Sequence, residues 1–152
     1  MNIREMIWRY FLHRQPKRKV VMRAWDSIHT IAIIYDCGDE ASILQQLSTE
    51  NKHIDFFTLP NKQDILWLSQ RPSKQILNHI RDYHYDLLID LTQQPTLTMH
   101  YMALYTRSDF KVGRHTCEGI YDLTINTPAQ PSPYYLLEQI MRYINMFTTK
   151  QE

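Results

Sequence analysis

Apolar residues in this chain form short runs that alternate with helical stripes. The two clearest runs cover residues 31–35 and 87–91, and neither has the apolar–polar alternation of a strand with one wet face. Such a run is typical of a strand that helices cover on both sides, as in parallel sheets. The stretch 85–92 (Tyr-Asp-Leu-Leu-Ile-Asp-Leu-Thr) is echoed at 121–126 (Tyr-Asp-Leu-Thr-Ile-Asn). These runs predict an α/β domain whose two most apolar strands are central neighbours.

The order of the predicted elements indicates one doubly wound domain of three layers. The predicted strands are residues 31–35, 53–59, 85–91, 110–113 and 121–126, with helices between the first four and a last helix from Pro133. A mostly parallel five-stranded sheet in the flavodoxin-like order 2-1-3-4-5 fits this alternation best. Only about seven residues separate the last two strands, fewer than a parallel crossover needs, so this edge is predicted to be a hairpin or irregular.

Residues 1–23 are predicted to form a basic amphipathic helix and linker in front of the α/β domain of residues 24–150. The apolar stripe of this helix is Ile3, Met6, Ile7, Tyr10 and Phe11. The basic residues are Arg4, Arg9, Arg14, Lys17, Arg18 and Lys19. They are candidates for contact with an anionic membrane or a phosphate backbone. The commoner alternative is that the stripe docks on its own or a neighbouring subunit while the charges stay solvated.

Composition excludes several classes of protein. Hydrophobic residues at 43% and charged residues at 22% are globular values for a chain of 152 residues, so wholesale disorder is excluded. Three glycines cannot build a P-loop or a dinucleotide-binding loop. No apolar run approaches the length of a membrane span, and no secretory signal is recognisable, so we expect a cytoplasmic protein. The charge is uneven, because residues 1–23 hold seven basic groups and one acidic group, whereas the rest holds ten and fifteen.

The carboxyl ends of the predicted strands hold the candidate ligand-binding residues. They are Asp36, Gly38, Asp39, Asp90, Thr92, Arg114 and His115. In a doubly wound sheet these ends flank the crevice where strand order reverses. Because carboxylates dominate the set, a neutral or hydroxyl-rich ligand is favoured over a phosphate. The alternative is that Asp36 and Asp90 hold loop backbone, as strand-end aspartates often do.

No metal, cofactor or catalytic residue is predicted. Cys37, His115 and Cys117 lack the spacing of a local ligand pair, so both thiols are expected to be reduced and metal-free. No Gly-x-Ser-x-Gly elbow is present to anchor a nucleophile. Trp67, in a connecting segment, is expected to plug the end of the core or, less commonly, to line a pocket.

Two resemblances rest on the motifs quoted above. With its strands at 31–36, 85–91 and 110–113 and the Tyr-Asp-Leu at 121–123, the whole chain resembles an uncharacterised family of small bacterial α/β proteins. That resemblance implies a fold and no activity. Residues 31–114 more distantly resemble the N-terminal half of heptosyltransferase-type glycosyltransferases, through Gly38-Asp39, residues 85–91 and Val112-Gly113. The second resemblance implies that Asp39 is the base acting on the acceptor.

Three functions follow from these observations. The leading hypothesis is a non-catalytic domain that binds a small polar ligand or a protein partner. The alternatives are a sugar- or nucleotide-handling enzyme or transferase subunit, and a peripheral membrane protein anchored by residues 1–23. Self-association through the N-terminal helix is left open, and nucleic acid is not an expected partner.

Overall fold

Helices and strands alternate along the chain, as the apolar pattern predicts. The computed structural model describes residues 1–36, 40–47, 51–114, 117, 119–125 and 133–149. The helices are α1 (Ile3–His13), α2 (Glu40–Leu47), α3 (Lys74–Arg81), α4 (Leu97–Tyr105) and α5 (Pro133–Thr149). The strands are β1 (Thr30–Ile34), β2 (His53–Phe57), β3 (His84–Asp90), β4 (Arg107–Gly113) and β5 (Leu123–Thr124). Ser73 caps α3 by accepting a hydrogen bond from the backbone N–H of Ile76, as its position before the helix indicates.

The sheet has the strand order β2-β1-β3-β4-β5, and each of these neighbouring pairs is parallel. This confirms the predicted α/β class, the flavodoxin-like order and the central position of β1 beside β3. Both central strands are covered on their two faces by separate apolar clusters. The helices α2 and α5 cover one face, and α1, α3 and α4 cover the other. Continuous apolar runs are the expected sequence for strands in this position.

The prediction of a hairpin at the last edge is wrong, because β5 runs parallel to β4. Strand β5 has only two residues, which pair with Val112 and Gly113 at the carboxyl end of β4. The chain that leaves β4 therefore has to return along the strand direction by only a few ångströms, and not by the length of a whole strand, before β5 begins. A short connection is enough for that. The backbone N–H of Asp122 donates to the carbonyl of Lys111 at 2.8 Å, and that of Ile125 donates to the carbonyl of Gly113 at 2.9 Å.

Only part of the apolar stripe predicted for α1 docks on the body of the protein, where Phe11 packs against the apolar cluster that includes Tyr101. Ile3, Met6 and Tyr10 are exposed, whereas Trp8 is buried and packs edge-on against Tyr101 of α4, with 4.8 Å between ring centroids. Both sides of this helix are apolar, so periodicity alone selects the stripe with more members. The side that carries Trp8 faces the core because burying the indole removes the larger apolar surface from water, which gives the larger hydrophobic gain.

Trp67 does not plug the end of the core, because 77% of it is exposed. It lies in a turn between the one-turn helix Lys62–Asp64 and α3. The turn itself is well held, since the backbone N–H of Gln70 donates to the carbonyl of Leu66 at 2.7 Å. Within the described residues, no helix combines the length and the apolar character needed to cross a membrane.

Candidate functional site

The predicted site at the carboxyl edge begins with Asp36, which follows β1. Its carboxylate accepts hydrogen bonds from the backbone N–H groups of Gln93 and Gln94, at 2.9 and 2.8 Å. Both donors belong to the loop that follows β3. Asp36 therefore ties that loop to the end of the neighbouring strand, which is the loop-holding role weighed against ligand binding above.

Asp90, the last residue of β3, lies buried at the same edge. Its carboxylate accepts a hydrogen bond from the backbone N–H of the buried Thr92 at 2.9 Å, and a second, short one from the Tyr121 hydroxyl. Burial raises the pKa of Tyr121 far above its ordinary value, and the Asp90 carboxylate raises it further. Tyr121 therefore stays protonated and donates to Asp90 across the accessible pH range.

Gly113 is the point where the Tyr121 ring crosses β4. A Cβ atom placed on Gly113 would lie 2.7 Å from Cε1 and Cζ of that ring. We predict that Gly113→Ala lowers the free energy of unfolding by about 2 kcal/mol, the usual cost of overpacking. Urea denaturation measures this cost. In a Tyr121→Leu background most of the cost should disappear, and an undiminished cost there would contradict the contact.

The remaining predicted ligand residues are placed less completely. Arg114 follows β4 and is half-buried, and its Nη1 has no hydrogen-bond partner among the described residues. Gly38, Asp39 and His115 lie outside the described residues, as does Cys37. The structure thus brings Asp36, Asp90 and Thr92 together around one loop, and their role in binding a ligand stays a prediction. In the described part of the chain, no three His, Cys, Asp or Glu side chains are grouped to hold a metal ion.

A cavity of about 630 Å³ lies at the opposite ends of the strands, near the amino ends of β3 and β4. Its walls are Leu12 of α1, residues 15–18 that follow this helix, the ends of α3 and α4, and residues 119–120. None of its lining residues is acidic, and six of them carry a basic or imidazole side chain: Lys17, Arg18, Arg81, His84, Arg107 and Lys111. Of the basic residues singled out in the N-terminal segment, Lys17 and Arg18 line it, while Arg4, Arg9, Arg14 and Lys19 do not.

Lys111 forms the floor of this cavity and is almost completely buried. Its Nζ donates to the carbonyl oxygens of Ala103 and Leu104, at 2.7 and 3.1 Å, in the last turn of α4. An ammonium group in this position offsets the negative end of the helix dipole. Burial, together with the positive charge of Arg18 and against the opposing effect of Asp122, lowers the pKa of Lys111 to about 7.

Arg18 and His84 are fixed by partners at the rim. The Arg18 guanidinium donates to the Asp122 carboxylate at 2.5 Å and to the carbonyl of Ile120 at 3.4 Å. His84 lies 2.7 Å from the Asp109 carboxylate, which also accepts a hydrogen bond from Arg23. Burial by itself would raise the pKa of Asp109, but the hydrogen bonds from His84 and Arg23 outweigh it and lower that pKa.

The other cations of the cavity have no such compensation. In the described part of the chain, Lys17, Arg81 and Arg107 form no ion pair, although the Arg81 guanidinium stacks 4.2 Å from the centroid of the Tyr105 ring. The Ser108 hydroxyl also lines the cavity, is 4% exposed as a residue, and has no hydrogen-bond partner there. A buried hydroxyl without a partner is rare, because its desolvation is uncompensated. The cavity therefore offers positive charge and a free donor to a ligand that carries several anionic oxygens.

Sequence reasoning missed this cavity, although one signal was present. Lys111 stands between Phe110 and Val112 in a predicted strand, and a charged residue in an otherwise apolar buried run calls for a partner or a role. The other cations come from the segment after α1, from the end of α3 and from the first residues of β3 and β4. Each of them taken alone is indistinguishable from an ordinary solvated charge.

Comparison with known proteins gives a match to a family model. The model of a family described as "Family of unknown function (DUF6913)" matches residues 45–147, about two thirds of the chain. The matched segment contains Arg81, His84, Arg107 and Lys111 of the cavity, and it leaves out α1 and β1. Neither a curated protein nor a solved structure gives a significant match.

Proposed function

The chain belongs to this family of unknown function, and we propose that it is a binding domain for a small phosphorylated ligand, held in the cavity between α1, α3, α4 and β4. The observation that carries the proposal is the cavity lining, with six basic or imidazole side chains and no carboxylate. The class of function is the one the sequence predicts, a ligand-binding α/β domain. The proposed site is at the other edge of the sheet, and the ligand is an anion.

Electrostatics supports an anionic ligand. Three cations around one concave surface, Lys17, Arg81 and Arg107, form no ion pair with any described residue and repel each other, so an anion between them relieves the repulsion. The cavity walls exclude part of the solvent, which strengthens charge interactions relative to open water. The carboxyl edge differs in this respect, because Asp36 and Asp90 there already accept two hydrogen bonds each.

The donors and the size of the cavity favour a phosphate ester over a simple inorganic ion. Guanidinium groups such as those of Arg81 and Arg107 match the oxygens of a phosphate in bidentate geometry. The volume of about 630 Å³ lies in the usual range for small-molecule sites and exceeds the need of one phosphate group. Leu12, Leu104 and Ile120 supply an apolar wall for the organic part of the ligand.

The proposal predicts selective stabilisation by phosphorylated compounds. A thermal-shift screen should compare mononucleotides, sugar phosphates and inorganic pyrophosphate with the matching nucleosides and sugars. A phosphorylated probe at about a hundred times its dissociation constant should stabilise the protein by roughly 2.7 kcal/mol, and its unphosphorylated counterpart should not. The affinity should fall as salt is raised, because salt screens the cations.

Variants of the cavity test the site itself. Arg81→Ala and Arg107→Ala should each weaken binding of the selected probe about tenfold, as expected for the loss of one charge-assisted hydrogen bond. Arg142→Ala is the matched control, because Arg142 is exposed on α5, which packs on the other face of the sheet. Ser108→Ala should lower affinity without lowering the stability of the free protein, since its hydroxyl has no partner to lose. Equal binding by all of these variants would contradict the proposed site.

The transferase alternative stays a prediction, and its candidate base Asp39 lies outside the described residues. A phosphorylated ligand is compatible with a nucleotide- or sugar-handling enzyme as well as with a binding domain. Turnover of the selected probe, followed by loss of the phosphate ester or formation of a new product, would separate the two.

A further inference from the structure

A second surface, separate from the cavity, carries apolar side chains into solvent. It consists of Ile3, Met6 and Tyr10 on the outer side of α1, and of the adjoining turn Leu66, Trp67 and Leu68. We propose that this apolar face docks on an anionic membrane surface, with Trp67 and the outer side chains of α1 at the level of the lipid headgroups. The proposal is independent of the ligand proposed for the cavity.

The two segments of the apolar face are joined to each other. Trp8 turns one side of α1 to the core, so Met6 and its neighbours on the opposite side face outward, and Met6 is 58% exposed. The Arg4 guanidinium of α1 donates to the backbone carbonyl of Trp67 at 3.2 Å. The Arg71 guanidinium stacks on the Phe11 ring, 4.1 Å from its centroid, which fixes the base of the turn against the helix.

Trp67 projects from an ordered turn and not from a loose chain. The backbone N–H of Leu66 donates to the carbonyl of Arg71 at 2.8 Å, and the Gln70 side chain donates to the carbonyl of Trp67 at 3.0 Å. Gln70 adopts a φ of 64°, a left-handed conformation that non-glycine residues rarely occupy. A rigid turn that holds a tryptophan 77% exposed, beside further exposed apolar side chains, is typical of a surface that meets an apolar environment.

Charge indicates which partner fits this face. Of the seven basic groups in residues 1–23, Lys17 and Arg18 line the cavity and Arg23 pairs with Asp109, which leaves Arg4, Arg9, Arg14 and Lys19. Arg9 lies 3.6 Å from Glu5, the one acidic group of this segment. Arg9 and Arg14 border the face, the latter with its guanidinium 5.1 Å from the centroid of the Tyr10 ring. Tryptophan, methionine and isoleucine beside arginine is the composition of helices that lie in an anionic bilayer interface.

A second copy of the chain fits the face less well. Self-association through the outer side of α1 would be isologous and would bring two strongly basic segments together. On an anionic bilayer Arg9 and Arg14 instead gain attraction to the lipid headgroups. The membrane is therefore the occupant to which the charges point.

The test uses the full chain and vesicles of two compositions. Phosphatidylcholine vesicles with about 30% phosphatidylglycerol should co-sediment the protein at low salt, and pure phosphatidylcholine vesicles should retain much less of it. Binding should shift the tryptophan emission to shorter wavelength. That shift reports on Trp67, because Trp8 and Trp25 are already buried.

Paired variants assign the binding to the apolar face. The Met6→Ser/Trp67→Ala double variant should partition at least about tenfold less while keeping its thermal stability, since both side chains are exposed. Leu44→Ser is the matched control, because Leu44 is 44% exposed on α2, which packs on the other face of the sheet. The proposal would be overturned by an absence of binding to anionic vesicles at low salt or by equal binding of the double variant. A dimer that the double variant abolishes would overturn it as well. A loss confined to the Arg81→Ala/Arg107→Ala variant would also overturn it, by assigning the lipid to the cavity.

Discussion

The free energy of unfolding should rise as the pH is raised from about 7 to about 9.5, because the buried Lys111 ammonium is destabilising. Its pKa is about 7 in the folded protein, against an ordinary value of 10.5. Between these two values the unfolded chain holds a proton that the folded protein has released, so stability increases with pH. The slope approaches about 1.4 kcal/mol per pH unit, which gives roughly 3 kcal/mol across this window.

Buried tyrosines set the upper limit of this rise. Burial raises the pKa of Tyr101 to about 12 and raises those of Tyr85 and Tyr121 further. Above pH of about 10 the unfolded chain loses phenolic protons that the folded protein keeps, so stability falls again. We therefore expect a maximum of stability in the region of pH 9.5 to 10.

Urea unfolding at half-unit steps of pH checks this profile. Lys111→Met should flatten the rise between pH 7 and 9.5, because the titrating group is gone. Lys74→Met is the matched control: Lys74 is exposed at the start of α3, so its removal should leave the rise intact. A Lys111→Met variant with the same slope as the natural protein would show that another group causes the pH dependence.

Trp8→Ala should cost about 3 kcal/mol or more of unfolding free energy, the usual cost of removing a large buried aromatic side chain. Trp8 is 8% exposed and packs against Tyr101 and His100 of α4. Met6→Ala, on the other side of the same helix, should change stability by less than about 0.5 kcal/mol. Thermal and urea denaturation of the two variants compare the two sides of α1 directly.

The same pair of variants links α1 to the cavity. Leu12 and residues 15–18 follow Trp8 and form one wall, so loosening α1 should weaken binding of a phosphorylated probe. Met6→Ala should leave that binding unchanged. A larger loss of stability for Met6→Ala than for Trp8→Ala would contradict the inward position of Trp8.

The sequence by itself determined the architecture of the sheet. Residues 31–34 and 87–89 are apolar without alternation, and only a strand covered on both faces tolerates this, so their central positions follow from local composition. The start of α3 is equally local, because the Ser73 hydroxyl accepts a hydrogen bond from the backbone N–H of Ile76, only three residues later in the chain. Strand order then follows from the alternation of elements and the handedness of their connections.

Tertiary structure alone decided the direction of β5, the inward side of α1 and the existence of the cavity. Two-residue pairing with the end of β4 makes a short parallel return feasible, and no local pattern records how far a chain must travel. Which of the two apolar sides of α1 faces the core depends on the contact of Trp8 with Tyr101, which lies on α4 and is distant along the chain. The cavity gathers charges such as Lys17, Arg81 and Arg107 from distant elements. Taken alone, each looks like an ordinary surface cation in the sequence, and only the fold brings the three around one cavity, where the short distances between the charges make them a site.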